Sequence, residues 1–215
     1  MIAWLDRLVR RKWFYVLAVN AFRTFTRLVY GLRVEDADKV PQDGRGLVVA
    51  CNHVSAWDPP VVGVSVPREI HFMAKKELFA SDWGALLMHG LRAFPVDRSI
   101  NDIGAVKDAL RQLQAGLAIG IFAQGTRNAG DKEALDGAAY LAQRAGVPLQ
   151  PAAVWRDGRR FHVRFAEPIE PQGKTRDRAR AMTRELMLRV NEMLPSRTQH
   201  LGTEGAREEP REKVP

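Results

Sequence analysis

The chain has 215 residues, a length that suits one domain whose core needs no disulfide or metal staple. With 46% hydrophobic and 27% charged residues it matches neither a wholly disordered chain nor a multispan membrane protein. The net charge of +8 concentrates at the N-terminus, where Arg7, Arg10, Arg11, Lys12, Arg23, Arg27 and Arg33 stand against Asp6 alone and leave +6 in residues 1–33. A basic segment interleaved with aromatic and aliphatic residues attracts anionic surfaces, whether phospholipid head groups or nucleic-acid phosphates. The single cysteine, Cys51, can form neither an internal disulfide nor a thiolate zinc cluster, which fits a reducing compartment.

The first predicted element is a helix led by Arg10, Arg11 and Lys12. Its uncharged run, residues 13–22, is half the roughly 20 residues that cross a bilayer. No small-x-small cleavage site follows it, so it does not read as a signal peptide. Asn20, Arg23, Thr24 and Arg27 gather on one side of the helix, with Trp13, Leu17, Phe25 and Leu28 mostly elsewhere. This pattern fits an interfacial helix and also an amphipathic helix packed on its own domain.

After the turn-rich stretch at 40–46, Leu47–Cys51 is a short apolar run suited to a buried strand. Similar runs recur at 70–74, 93–96, 118–123, 149–155 and 161–165, separated by helical patterns at 82–89, 102–115 and 137–145. Strands alternating with helices predict an α/β fold with a mixed, partly parallel sheet flanked by helices. A last amphipathic helix covers 175–194, and the polar residues 196–215 read as a disordered tail. The division is therefore a basic amphipathic segment at 1–33, an α/β domain at 34–195 and the tail.

The chemistry begins where the first strand ends, in Asn52-His53-Val54-Ser55-Ala56-Trp57-Asp58-Pro59. Strand ends carry the reactive groups of α/β sheets. If the loop folds back, Asp58 accepts from one ring nitrogen of His53 and the other nitrogen becomes a proton acceptor. Ser55 lacks the G-x-S-x-G elbow of a nucleophile, so the hydroxyl to be activated belongs to a substrate. Taken alone, His53 also fits a structural histidine, and Asp58 before Pro59-Pro60 also fits a helix N-cap.

With later segments included, the sequence resembles the 1-acyl-glycerol-3-phosphate acyltransferase family, whose first motif, N-H-x(4)-D, is Asn52, His53 and Asp58 here. Three further blocks follow in the family's order: 90–98, ending in Asp97-Arg98; Phe122-Ala123-Gln124-Gly125-Thr126-Arg127, where F-P-E-G-T-R is usual; and Val147-Pro148-Leu149-Gln150-Pro151, like V-P-x-x-P. The resemblance spans about residues 47–170. It implies an O-acyltransferase of phospholipid biosynthesis, with His53 as base and Asp58 orienting it. Asn52, Arg98, Gln124, Gly125, Thr126 and Arg127 are the implied substrate contacts.

Arg98 and Arg127 offer planar cationic forks for phosphate, and Gly125 lets backbone approach a ligand closely. Gln124 in place of glutamate brings no negative charge and cannot act as a base, which leaves acceptor specificity open. Lys75 and Lys76 either add positive potential or form a solvated helix start.

The implied reaction moves an acyl group from acyl-CoA or acyl carrier protein to a lysophospholipid acceptor at an anionic membrane surface. It needs no metal or other cofactor, and the expected location is peripheral or monotopic on the cytoplasmic face. His71, His89, His162 and His200 have no metal-ligand spacing. The His–Asp strand-end pair disfavours nucleic acid as the partner. The alternatives are another lysolipid acceptor or a catalytically weak lipid-binding module. Trp83, with Leu86 and Leu87, reads as core.

Overall fold

The computed structural model describes residues 2–53, 55–97, 102–122 and 132–195. The tail expected at 196–215 lies outside them. Two helices open the chain, α1 (Ile2–Val9) and α2 (Lys12–Tyr30). Gly31 closes α2 in the left-handed conformation (φ 59°), with its N–H on the Arg27 carbonyl and the Leu32 N–H on that of Thr26. This double closure satisfies carbonyls that a helix end leaves open, and glycine takes the positive φ without a Cβ penalty.

Seven strands follow: β1 (Arg33–Glu35), β2 (Leu47–Cys51), β3 (Ile70–Lys75), β4 (Ala93–Val96), β5 (Ala118–Phe122), β6 (Leu149–Asp157) and β7 (Arg160–Phe165). Between and after them come α3 (Asp58–Ser65), α4 (Asp82–Gly90), α5 (Ile103–Gln114), α6 (Lys132–Ala145) and α7 (Arg176–Met193). Side-chain oxygens of Ser81, Asp102 and Thr175 cap α4, α5 and α7 by accepting the N–H groups of Gly84, Ala105 and Arg178.

The strands form one sheet in the order β1-β7-β6-β2-β5-β3-β4. Every neighbouring pair is parallel except the β6–β7 hairpin. The sheet is therefore mixed and mostly parallel, as expected. All five residues of β2 are buried, which is why the strand reads as an unbroken apolar run. Its side chains alternate between two cores. Val48 and Ala50 join Leu113 of α5, Leu141 of α6 and Leu186 of α7 on one face. Leu47, Val49 and Cys51 join Val61 and Val62 of α3 and Phe72 of β3 on the other, against which Val19, Phe22 and Tyr30 of α2 pack. Each fully buried Leu contributes about 1.5–3 kcal/mol relative to exposure.

The structure corrects the sequence reading in three places. Strand β1 carries one apolar residue, Val34, and forms because β7 offers a parallel partner from Arg33↔His162 to Glu35↔Arg164. Helix α3 starts at Asp58, as the Pro59-Pro60 signal allows, but Trp57 occupies the N-cap position. Trp83 and Leu87 are not core: they are 65% and 59% exposed on α4.

Candidate active site

Because β2, β3, β4 and β5 run parallel, their carboxyl ends share one edge of the sheet, and the residues that follow β2 and end β5 meet there. The register pairs Cys51 with Phe122 of β5 and with Ala152 of β6. One residue further on, Asn52 extends the β2–β6 pairing through its side chain. Its Nδ2 donates to the Val154 carbonyl at 2.8 Å and its Oδ1 accepts the Val154 N–H at 2.8 Å. Asn52 is buried, and this clasp ties the end of β2 to β6. Asn52, expected as a substrate contact, thus holds the start of the loop that carries His53.

That loop folds back as the proposed chemistry requires. His53 Nδ1 donates to Asp58 Oδ2 at 2.9 Å, and the Ser55 N–H donates to the same oxygen at 2.6 Å. The Ser55 Oγ accepts the Trp57 N–H and its carbonyl accepts that of Asp58, so Ser55 shapes the turn. The Asp58 side chain is 2% exposed and that of His53 is 17% exposed. The carboxylate is thus sealed behind the imidazole while the ring reaches solvent. Asp58 is the first residue of α3, so the start of this helix fixes where the carboxylate stands. With its proton fixed on Nδ1, the imidazole has Nε2 as its basic nitrogen.

Behind the imidazole stands a ring that the sequence reading did not assign to the site. Phe122 lies 4.5 Å from the His53 ring centroid, and Phe72 of β3 stacks on Phe122 at 5.9 Å with 13° between planes. The available signal was the position of Phe122 at the head of the third block. Cys51, beneath the loop, is no nucleophile: burial first, then the Asp58 charge, pushes its thiol pKa well up. Its Sγ donates to Asn52 Oδ1 at 3.6 Å.

Of the second block, Asp97 is tied by the Lys76 ammonium, and its N–H donates to Asp102 Oδ2 at 2.9 Å. Lys76 thus lies at the end of this block. Arg98, Gln124, Gly125, Thr126 and Arg127 lie outside the described residues. The fourth block is architectural. Leu149 and Pro151 pair with Val48 and Ala50, and the buried Gln150 donates to the carbonyls of Pro151 and Ala166. Among the described residues no three His, Cys, Asp or Glu groups converge so as to hold a metal ion.

Helix α2 borders the same edge. Phe22 stacks on Trp57 (6.5 Å, 6°), and Tyr30 meets Trp57 at 6.0 Å. Outward from α2 project Trp13, Leu17, Phe25 and Leu28, all exposed. Among the described residues no helix is long and apolar enough to cross a membrane.

The sequence model of the family described as Acyltransferase matches residues 31–155. A Bacillus subtilis (strain 168) protein named 1-acyl-sn-glycerol-3-phosphate acyltransferase is 32% identical, over 83% of this chain and 96% of its own. One of the same name from Streptococcus pneumoniae is 30% identical over 54% of this chain and 44% of its own. The crystal structure of the 1-acyl-sn-glycerophosphate (LPA) acyltransferase PlsC from Thermotoga maritima superposes with a TM-score of 0.61 at 23% identity. It covers 89% of this chain and 78% of that one, and supports the fold. A family match that starts at the end of α2 and runs through the His53–Asp58 loop to β6, with a full-length relative above 30% identity, means that this chain belongs to the acyltransferase family.

Proposed function

We propose that the protein transfers a fatty acyl group from acyl-CoA or acyl carrier protein to the free hydroxyl of lysophosphatidic acid, forming phosphatidic acid. The observation that carries this reading is the 2.9 Å hydrogen bond from His53 Nδ1 to the sealed Asp58 carboxylate. Support for the acceptor comes from the names of the two bacterial relatives.

In this mechanism His53 Nε2 takes the hydroxyl proton as the acceptor oxygen attacks the thioester carbonyl. Asp58 holds the imidazole in orientation and stabilises the imidazolium. Collapse of the tetrahedral adduct breaks the C–S bond, and the imidazolium returns the proton to the departing thiolate. No acyl-enzyme forms and no further cofactor enters. Arg98 and Arg127 are the proposed phosphate ligands, with Gln124, Gly125 and Thr126 lining the acceptor site and backbone N–H groups near Gly125 facing the oxyanion. The reaction is proposed to take place at an anionic membrane surface on the cytoplasmic side; the exposed apolar side chains of α2 support the contact with a membrane surface.

The test is thioester consumption by purified protein with lysophosphatidic acid and long-chain acyl-CoA or acyl carrier protein, beside other lysolipids and a His53→Ala control. Phosphatidic acid formed by the wild type alone is the expected result. Turnover only with another lysolipid transfers the acceptor assignment, and no turnover with any pair leaves a lipid-binding module.

A further inference from the structure

A cleft of about 480 Å³ opens at the edge of the sheet opposite His53. Its wall includes Lys12, Asn20 and Arg23 of α2, Arg68 and Glu69 ahead of β3, and Leu117 ahead of β5. Segments entering the parallel strands share this edge, whereas His53 and Phe122 stand where strands end. The five residues of β2 separate the two edges by roughly 16 Å. The cleft therefore does not belong to the reacting site.

Its charge is unbalanced. Arg23 and Arg68 are half-buried and bound to carbonyl oxygens. Arg23 Nε donates to Val64 at 2.6 Å, and Arg68 donates to Pro41, Arg45 and Gly116 at 3.0, 2.8 and 2.6 Å. Among the described residues no carboxylate forms an ion pair with Lys12, Arg23 or Arg68. Glu69, the one carboxylate in the described wall, is held by Arg92 at 2.9 Å and by His71 at 3.3 Å. Burial pulls both guanidinium pKa values down, helped at Arg23 by the Arg27 charge and only partly opposed at Arg68 by the Asp43 charge, as expected of desolvated cations with no carboxylate in direct contact. An anion relieves that cost, and guanidinium forks suit phosphate oxygens.

Apolar surface adjoins this charge. Val16 of α2 lines the cleft and is 48% exposed, and beside it Trp13 and Leu17 are 54% and 61% exposed. A ligand with an anionic head and apolar chains satisfies both features, whereas a free anion leaves the apolar side chains in water.

We propose that this cleft binds the phosphate head group of an anionic phospholipid of the bilayer, a molecule distinct from the lysolipid that reacts at His53, with Lys12 and Arg23 as its direct ligands. The carbonyl-bound Arg68 adds positive potential from the cleft floor. The inference rests on the membrane-surface reading given above and adds to it a built site with its own stoichiometry.

The test compares sedimentation of the full chain with vesicles of phosphatidylcholine alone or mixed with phosphatidylglycerol. Three proteins are used: wild type, Lys12→Gln/Arg23→Gln, and Arg11→Gln/Arg27→Gln, which removes the same charge outside the cleft, from the N-cap position of α2 and from the helix itself. Diffuse attraction to a charged surface lowers both doubles alike. A phosphate ligated in the cleft makes the Lys12/Arg23 double lose about tenfold more affinity for the mixed vesicles than the matched double. Turnover of a soluble short-chain acceptor stays at the wild-type rate in both doubles and verifies their fold. Equal losses in the two doubles overturn the cleft while sparing the membrane reading; a wild type that sediments with neither vesicle overturns both. Calorimetric titration separates the ligand sources. Monomeric short-chain phosphatidylglycerol binds the wild type and not the Lys12/Arg23 double, whereas saturation by inorganic phosphate with no response to the short-chain lipid overturns the lipid assignment.

Discussion

The Phe122 ring rests on the His53 imidazole, with centroids 4.5 Å apart and planes inclined at 33°. Asp58 holds one edge of the imidazole and Phe122 one face, so rotation about the bond to Asp58 is blocked by an aromatic wall carried on β5. Phe122→Leu keeps an apolar neighbour and removes the flat one. It is expected to lower kcat roughly tenfold with little change in acceptor KM, inside the ~10²-fold that a misplacement of about 1 Å costs. Steady-state kinetics with the acceptor varied check the split; an unchanged kcat removes Phe122 from the positioning of the base.

The wall is braced one layer deeper. A Cβ on Gly120 would lie 2.3 Å from a ring carbon of Phe72, which stacks on Phe122. Gly120→Ala must therefore displace the Phe72 ring, at a cost of about 1–3 kcal/mol for overpacking a filled core. The expected result is a lower Tm together with a lower kcat. The double variant Gly120→Ala/Phe72→Leu, which frees space at the clash, recovers part of both, and thermal unfolding beside turnover reads them.

Asn52 occupies both the N–H and the C=O of Val154. Asn52→Ala leaves two buried backbone groups without that partner, each worth about 1–3 kcal/mol. Urea unfolding is expected to show a destabilisation of about 2–4 kcal/mol with the slope unchanged. A loss well below 1 kcal/mol would mean that water replaces the amide.

The legible and illegible parts of the sequence divide along physical lines. The buried strands were visible because a parallel strand covered on both faces is apolar throughout, as Leu47–Cys51 is. Strand β1 was not, since Arg33-Val34-Glu35 owes its pairing to β7 and not to its own composition. The pairing of His53 with Asp58 was legible from spacing, because five residues suffice for a turn that the Ser55 side chain closes. The role of Asn52 was not, for its partner Val154 lies 102 residues away. Trp83 misled because periodicity reports an apolar stripe and not what covers it.

The junction of α1 and α2 is expected to loosen in acid. Arg92, in a left-handed conformation (φ 56°), lies over the Tyr15 ring at 5.2 Å, donates to the Arg10 carbonyl at 2.8 Å and pairs with Glu69 at 2.9 Å. A hydrogen bond from His71 and then the Arg92 charge hold the Glu69 carboxyl below its ordinary pKa. A carboxyl depressed in the folded state contributes stability that is fully present above its unfolded value, about 4.3, and is lost as pH falls through the folded one. Solvent reaches the pair, so the contribution is modest and screened by salt. Glu69→Gln should accordingly melt below the wild type at pH 7, with the gap closing as both are taken below about pH 4. Thermal unfolding across that range measures the gap, and a difference that stays constant down to acid would show that Glu69 acts through packing and not through its charge.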